Sequence, residues 1–216
     1  MNIEQIYTGC LAQGAYYIQS CGEVAIIDPL REVQDYINRA EKDSATIKYI
    51  FETHIHADFI SGHLNLAKKT GANIIYGPKA NTSFKTINAK DYEEFKLGDV
   101  TIIAIHTPGH TIESTTYLLR DSDNVDHAIF TGDTLFIGDI GRPDLAVDNN
   151  LSVNDLASML YDSLYDKIMK LDEEIIIYPA HGPGTQCGKN LSLPLKPNIS
   201  CNCVWQIEEY FIFTRS

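Results

Sequence analysis

One short segment of the sequence alternates three potential metal ligands with other residues. In Thr53-His54-Ile55-His56-Ala57-Asp58-Phe59, two imidazoles and a carboxylate stand at every second position, directly after an apolar run that ends at Phe51. In an extended loop this alternation points all three side chains to one side, where a cation can bind them. So dense a polar cluster is unlike ordinary core. The segment therefore predicts a metal site.

Three further loops place a histidine or an aspartate directly after an apolar run. They are Thr107-Pro108-Gly109-His110-Thr111, Thr131-Gly132-Asp133-Thr134 and Pro179-Ala180-His181-Gly182-Pro183-Gly184. Pro and Gly produce sharp turns that present a side chain beyond the end of a strand. Each loop alone is weak evidence, because a lone histidine in a turn is usually solvated and an aspartate there often only makes the turn. The four loops together indicate one shared site.

The elements that must position these loops follow from hydrophobic periodicity. Strands are predicted over residues 15–20, 24–28, 47–51, 74–76, 100–105, 115–119, 128–131 and 174–178. Helices are predicted over residues 31–43, 62–69 and 152–171. Ser152 followed by Asp155 is close to a capping box at the start of the last helix. Several consecutive strands lie too close for a helical crossover, so the pattern predicts a mixed layout with antiparallel hairpins.

Composition excludes several classes of protein. The 216 residues are 44% hydrophobic and 21% charged, with a net charge of −12, as in an ordinary globular chain. The acidic balance argues against a nucleic-acid partner and against an anionic membrane surface. No apolar run approaches the roughly 18 residues of a membrane span, and no secretory signal is visible at the N-terminus. Five Cys without a regular spacing favour a reducing compartment, so we expect the cytoplasm.

The order of the four motifs resembles the metallo-β-lactamase superfamily. HxHxD is followed by PGH, TGD and AHG, and the resemblance covers residues 1–190. It implies an α+β fold, the αββα sandwich, with a metal site at one edge between two sheets. Residues 191–216 form an atypical tail in which the family pattern fades, so we expect one domain over 1–190 and no rhodanese domain after it. The tail suggests a truncated member.

One departure from the superfamily pattern narrows the choice of subfamily. Hydrolytic members such as glyoxalase II carry a second-metal histidine where this chain has Phe59, whose ring cannot bind a metal. The stretches 131–145 and 181–189 resemble the persulfide dioxygenases, most closely the N-terminal half of bacterial fusions to rhodanese domains. That resemblance implies one Fe(II) per chain, bound by His54, His110 and Asp133. Two His and one carboxylate form the facial triad of non-haem iron oxygenases, which leaves open positions.

The same resemblance implies a reaction and roles for the neighbouring residues. A small thiol persulfide such as glutathione persulfide is oxidised with O2 to sulfite and thiol, in sulfide detoxification. His56 and Asp58 would orient the ligands, and His181 would hydrogen-bond a water or the reacting sulfur, although these three remain possible ligands.

Three residues are candidates for handling the substrate. Arg142 and, more weakly, Lys189 are the candidate cations for an anionic thiol carrier, with a salt bridge to Asp139 or Asp144 as the alternative for Arg142. Cys187 is either a small buried residue or a sulfur-handling thiol.

Two other functions stay open. The first is a zinc-dependent thioesterase like hydroxyacylglutathione hydrolase, which needs a two-metal water nucleophile. The second is an inactive truncated family member, or a domain that binds a sulfurtransferase (rhodanese) partner. A homo-oligomer is possible for each of these.

Overall fold

The computed structural model describes residues 1–147 and 151–182, and within them eleven strands form two sheets. The first sheet contains, in spatial order, β1 (Asn2–Thr8), β2 (Gln13–Ser20), β3 (Glu23–Ile27), β4 (Thr46–Phe51), β5 (Asn73–Tyr76) and β6 (Ile87–Asn88). The second contains β7 (Glu93–Leu97), β8 (Val100–His106), β9 (Thr115–Arg120), β10 (Asp126–Gly132) and β11 (Ile176–Pro179). Strand order in the second sheet follows the chain.

Both sheets have the mixed character that the sequence predicts. The hairpin β2–β3 is antiparallel and turns at Cys21 and Gly22, where φ is 46° and 78°. Strands β3 to β6 then run parallel to one another. The second sheet is antiparallel from β7 to β10, and β11 joins it parallel to β10. The predicted combination of hairpins and helical crossovers is therefore confirmed.

Three apolar layers hold the sandwich together. The central layer lies between the sheets and includes Phe51, Tyr117 and Phe130, all fully buried. Helices α1 (Gln34–Lys42) and α2 (His63–Thr70) cover the outer face of the first sheet. Helix α3 (Val153–Asp162) and the turns that follow it cover the outer face of the second sheet. The order helix, sheet, sheet, helix confirms the expected αββα sandwich.

Helix α3 shows where local sequence rules succeed and where they stop. Ser152 Oγ accepts from the Asp155 backbone N–H, and the Asp155 carboxylate accepts from the Ser152 N–H, so the capping box is formed. After Asp162 the chain continues as a π turn (Ser163–Lys167) and a 3₁₀ turn (Ile168–Lys170) instead of one α-helix to residue 171. This change keeps Leu164 and Ile168 buried against the second sheet.

Three strands escaped prediction for a common reason. Strands β1, β6 and β7 have few buried residues, because β1 and β7 alternate exposed and covered positions and both residues of β6 are exposed. Short or charge-rich strands such as Glu93-Glu94-Phe95-Lys96-Leu97 give a weak hydrophobic signal. They lie at the edges of the two sheets.

Backbone hydrogen bonds join the loops at the edge where β4, β8, β10 and β11 end. Thr115 N–H donates to Thr53 O at 2.8 Å, and Ala180 N–H donates to Gly132 O at 3.0 Å. The predicted site loops therefore share one edge of the sandwich. No helix of the described residues is long and apolar enough to cross a membrane. The predicted domain end at residue 190 and the tail 191–216 lie outside the described residues.

Candidate metal centre

Three of the predicted ligands meet at the sandwich edge. His54 follows β4, His110 follows β8 and Asp133 follows β10. The Asp133 Oδ2 atom lies 3.5 Å from His110 Nε2 and 4.0 Å from His54 Nε2. The two imidazole rings stand nearly perpendicular, at 88°, with centroids 5.0 Å apart. One nitrogen or oxygen of each side chain therefore faces a common point.

These three residues fit a divalent metal ion. Their side chains are buried, and both carboxylate oxygens of Asp133 lack a hydrogen-bond donor among the described residues. A buried carboxylate without a partner is unfavourable, so it calls for a cation. Two imidazoles and one carboxylate are a donor set for Fe(II) or Zn(II). We call His54, His110 and Asp133 the metal pocket.

Hydrogen bonds present the Nε2 atom of each histidine to this point. Thr53 Oγ1 donates its one proton to Asp28 Oδ2 at 2.7 Å. It can therefore only accept from His54 Nδ1, which lies 3.0 Å away. His110 Nδ1 donates to the Arg142 carbonyl at 3.1 Å. A proton held at Nδ1 leaves the Nε2 lone pair free for a metal.

The surrounding charges keep His54 neutral. Burial, together with the nearby imidazoles of His56, His110 and His181, lowers the pKa of His54 well below its usual value. A neutral imidazole is the form that binds a metal. The His54 side chain therefore needs no deprotonation step before a cation enters.

His181 and Asp58 form a pair beside the metal pocket. His181 Nε2 lies 3.2 Å from Asp58 Oδ2 and 3.5 Å from Asp133 Oδ1. Although burial opposes protonation, these two carboxylates raise the pKa of His181, and His181 in turn lowers the pKa of Asp58 against the effect of its burial. His181 can therefore hold a proton within reach of a molecule in the pocket.

His56 does not face the metal pocket, so the prediction that all three motif side chains point to one side is wrong. The loop bends at Thr53 and His54, and the alternation of an extended strand does not continue through it. His56 Nε2 lies 3.1 Å from Asp28 Oδ1 and 3.4 Å from Glu52 Oε2. Although burial opposes protonation, these carboxylates raise the pKa of His56 well above its usual value.

A cavity of about 410 Å³ opens onto the metal pocket. Its walls include Asp58 and the apolar residues Ile55, Ala57, Leu145 and Ala146. Arg142 also lines it and forms two hydrogen bonds with Asp144, at 3.0 and 2.6 Å. Both predictions for Arg142, a cation at the site and a salt bridge with Asp144, are thus compatible. Cys187 and Lys189 lie outside the described residues.

Two glycines allow the close packing of these loops. Gly109 has φ of 144°, and a Cβ there would lie 2.3 Å from Leu160 Cβ in α3. Gly132 has φ of 55°, and a Cβ there would lie 2.5 Å from Thr53 Oγ1. Both conformations favour glycine. They bring the loops of His110 and Asp133 against helix α3 and the Thr53 side chain.

Sequence reasoning missed three polar residues behind the site. Asp28, Glu52 and Thr53 are each at most 2% exposed, and all three contact a histidine of the motif. A signal existed for two of them. Asp28 and Glu52 each follow an apolar strand directly, as Asp133 follows the predicted strand 128–131. Asp28 also has φ of 49°, which is uncommon for a residue with a side chain.

Curated relatives carry the names of hydrolases. The chain is 29% identical over 196 residues to the cytoplasmic hydroxyacylglutathione hydrolase of Arabidopsis thaliana, covering 88% of this chain and 71% of that protein. It is 33% identical over 172 residues to a probable hydroxyacylglutathione hydrolase of Schizosaccharomyces pombe, covering 76% and 62%. The chain thus spans between 60% and 71% of the length of the first curated relatives.

Solved structures of two kinds share the fold. A metallo-beta-lactamase from Staphylococcus aureus superposes with a TM-score of 0.84 at 34% identity, covering 92% of this chain and 60% of that one. ETHE1 from Myxococcus xanthus superposes with a TM-score of 0.74 at 28% identity, covering 88% and 79%. The family model of the metallo-beta-lactamase superfamily matches residues 8–181, which include every site loop described above. The chain therefore belongs to the metallo-beta-lactamase superfamily.

Proposed function

We propose that this protein is a mononuclear Fe(II) persulfide dioxygenase. One persulfide, one O2 and one water yield a thiol, sulfite and two protons, and the four electrons that the outer sulfur loses reduce O2. The observation that carries the proposal is the ligand set: among the described residues His54, His110 and Asp133 converge, whereas His56 contacts Asp28. The resemblance to hydrolases adds that Phe59 replaces their second-metal histidine. The likeness to ETHE1 supports the proposal.

The metal would be held by His54 and His110 through Nε2 and by the Asp133 carboxylate. Fe(II) in such a set supplies the ability to react with O2, which protein side chains lack. The protein orients the two imidazoles through Thr53 and the Arg142 carbonyl. His181, close to Asp58 and Asp133, holds a proton that it can donate to the departing thiolate.

Charge and apolar surface at the cavity mouth suit a small anionic thiol. Arg142 offers a guanidinium to a carboxylate of the carrier, while Ile55 and Leu145 limit the access of water. Glutathione persulfide matches both features. Lys189 and Cys187, predicted as a further cation and a sulfur-handling thiol, remain proposals, as do a rhodanese partner and a homo-oligomer. A location in the cytoplasm is proposed in line with one relative's name.

A second function, a zinc-dependent hydroxyacylglutathione hydrolase, is favoured by two observations. The curated relatives have that name. In addition, Asp58, His181 and Asp133 lie together beside the metal pocket, where carboxylate and imidazole could hold a second ion. Phe59 removes one ligand from that position. A hydrolase with two metal ions would need His56 or a water to replace the ligand that is missing at Phe59.

The test is metal content after anaerobic purification, followed by two assays. The proposal expects close to one iron per chain, little zinc, O2 uptake with glutathione persulfide and no hydrolysis of a hydroxyacylglutathione thioester. Two zinc ions per chain together with thioester hydrolysis in the absence of O2 would replace the dioxygenase by the hydrolase. A protein that binds no metal would favour an inactive family member.

A further inference from the structure

Two histidines only two positions apart in the chain have opposite surroundings. His54 points into the metal pocket, whereas the His56 side chain is 1% exposed and lies against Asp28 and Glu52. The two rings are close, with centroids 4.2 Å apart. His56 therefore lies beside the metal pocket, and a rotation towards it would bring this imidazole nearer to the metal. The contacts that prevent this rotation decide how many ligands the metal receives.

Glu52 provides one of these contacts, and Asp28, which accepts from Thr53 N–H and Thr53 Oγ1, provides the other. Glu52 follows β4 directly and is fully buried. Its Oε1 atom accepts from Ser61 Oγ at 2.5 Å and lies 3.2 Å from His63 Nδ1, at the start of α2. Ser61 Oγ in turn accepts from the His63 backbone N–H at 3.2 Å. The carboxylate is thus held from two sides, and its free oxygen, Oε2, faces His56.

The charge of the cluster keeps His56 in place. Among the residues that the structure describes, no Lys or Arg forms an ion pair with Asp28 or Glu52, and the nearest side chains that could balance their charge are His56 and His63. If His56 turned to the metal, the two buried carboxylates would keep only His63 as a possible counter-charge. Leaving a buried charge without a partner is strongly unfavourable.

Phe59 packs against the imidazole. Its ring centroid lies 4.3 Å from that of His56, at an interplanar angle of 37°. The carboxylates near Nε2 and the aromatic ring together restrict the rotation of His56. Phe59 has this role in addition to removing a second-metal ligand.

We propose that Glu52, together with Asp28, holds His56 outside the metal pocket and so limits the protein ligands of the metal to His54, His110 and Asp133. Glu52 is a positioning residue, because it acts through His56. This inference deepens the proposed function, since a three-ligand centre leaves positions open for substrate and O2. It concerns metal binding, so it is measured without turnover.

The test compares zinc dissociation constants of matched variants by competition with a coloured chelator. Glu52→Gln removes one of the two charges and keeps the shape. His56 is then held by Asp28 alone, so it reaches the metal more often and the zinc Kd falls by up to about tenfold, the scale of changes beside metal ligands. The double variant Glu52→Gln/His56→Ala returns to the wild-type Kd. Glu113→Gln is the control, because Glu113 is also buried and accepts from Ile55 N–H in the same loop; its Kd stays at the wild-type value.

Three results would overturn the inference. The first is an unchanged zinc Kd in Glu52→Gln, and the second is a lower Kd that persists in Glu52→Gln/His56→Ala. The third is a second zinc ion that the wild type binds and Glu52→Gln loses, which would make the carboxylates themselves a metal site. If Glu52→Gln fails to fold, Glu52→Asp replaces it, because the shorter side chain moves the carboxylate away from His56. The inference then requires the same fall in the zinc Kd for Glu52→Asp. If the wild type fails to consume O2 with a persulfide, the proposed function is wrong. The comparison of zinc Kd values among the variants still tests the inference about Glu52.

Discussion

Two buried clusters of the same residue types lie side by side in this protein, and they differ in charge balance. In the metal pocket, one carboxylate faces two imidazoles beside an open cavity. In the second cluster, which we call the carboxylate cluster, Asp28 and Glu52 face His56 and His63. The pocket contains more imidazoles than carboxylates, and the carboxylate cluster contains equal numbers.

This balance decides which histidine can bind a metal. Burial and neighbouring imidazoles lower the pKa of His54, so it is neutral and its lone pair is free. The carboxylates of Asp28 and Glu52 raise the pKa of His56 despite burial, so it holds its proton. Position in the HxHxD motif is therefore a poor guide to ligation. The charges packed around each ring separate a ligand from an ion-pair partner.

The largest effect is expected from the carboxylate of the metal pocket. Asp133→Asn removes its only anionic ligand, so the protein loses its metal and its metal-dependent activity. The metal-free fold is not destabilised, because Asp133 is a buried carboxylate without a hydrogen-bond donor among the described residues, and removing its charge relieves that cost. Metal analysis and urea unfolding with a chelator measure both effects. Retention of metal at wild-type affinity would show that Asp133 is not a ligand.

In the carboxylate cluster, we expect a substitution to lower the stability of the metal-free protein. Glu52→Ala leaves His56 and His63 with fewer counter-charges, so the free energy of unfolding falls by about 3–5 kcal/mol. Urea unfolding of the metal-free protein measures it. Asp166→Ala is the control, because Asp166 forms an exposed pair with Lys170 and its loss costs about 1 kcal/mol or less. Equal losses in the two variants would remove the distinction between buried and exposed pairs.

Thr53 connects the two clusters, so its hydroxyl tests whether they communicate. Thr53→Val keeps the shape and breaks the chain from Asp28 to His54 Nδ1. We expect metal affinity to fall by about 10–100-fold, as for other partners of metal-bound histidines. Isothermal titration with zinc measures the change, and Thr53→Ser should restore the affinity. A Thr53→Val protein with unchanged affinity would mean that His54 needs no such orientation.

The smallest structural effect is expected at the cavity mouth. Arg142→Gln removes a cation that pairs with Asp144 on the surface, so stability changes by less than about 1 kcal/mol. The KM for an anionic persulfide rises about tenfold with kcat unchanged, because the lost contact is made equally before and during the reaction. Steady-state O2 uptake measures it. A fall in kcat alone would place Arg142 in the chemistry instead.

Local patterns were sufficient for the elements whose signal lies within a few residues. The hairpin β2–β3, the capping box of Ser152 and Asp155, and the strands before the four site loops were all predictable. The weakly apolar strands β1, β6 and β7 were not, since their largely exposed residues give a weak hydrophobic signal even though β1 and β7 pair with the next strand in the chain. The π turn after Asp162 depends likewise on packing against the second sheet.

The sequence by itself determined which side chains stand at the ends of the strands, and hence the candidates His54, His110 and Asp133. Only the tertiary structure decided that His56 leaves this set, because its partners Asp28 and Glu52 come from different strand ends and form one cluster when β3 and β4 pair. The physical reason is that charge and burial act through space. A buried carboxylate attracts the nearest imidazole whatever its position in a motif.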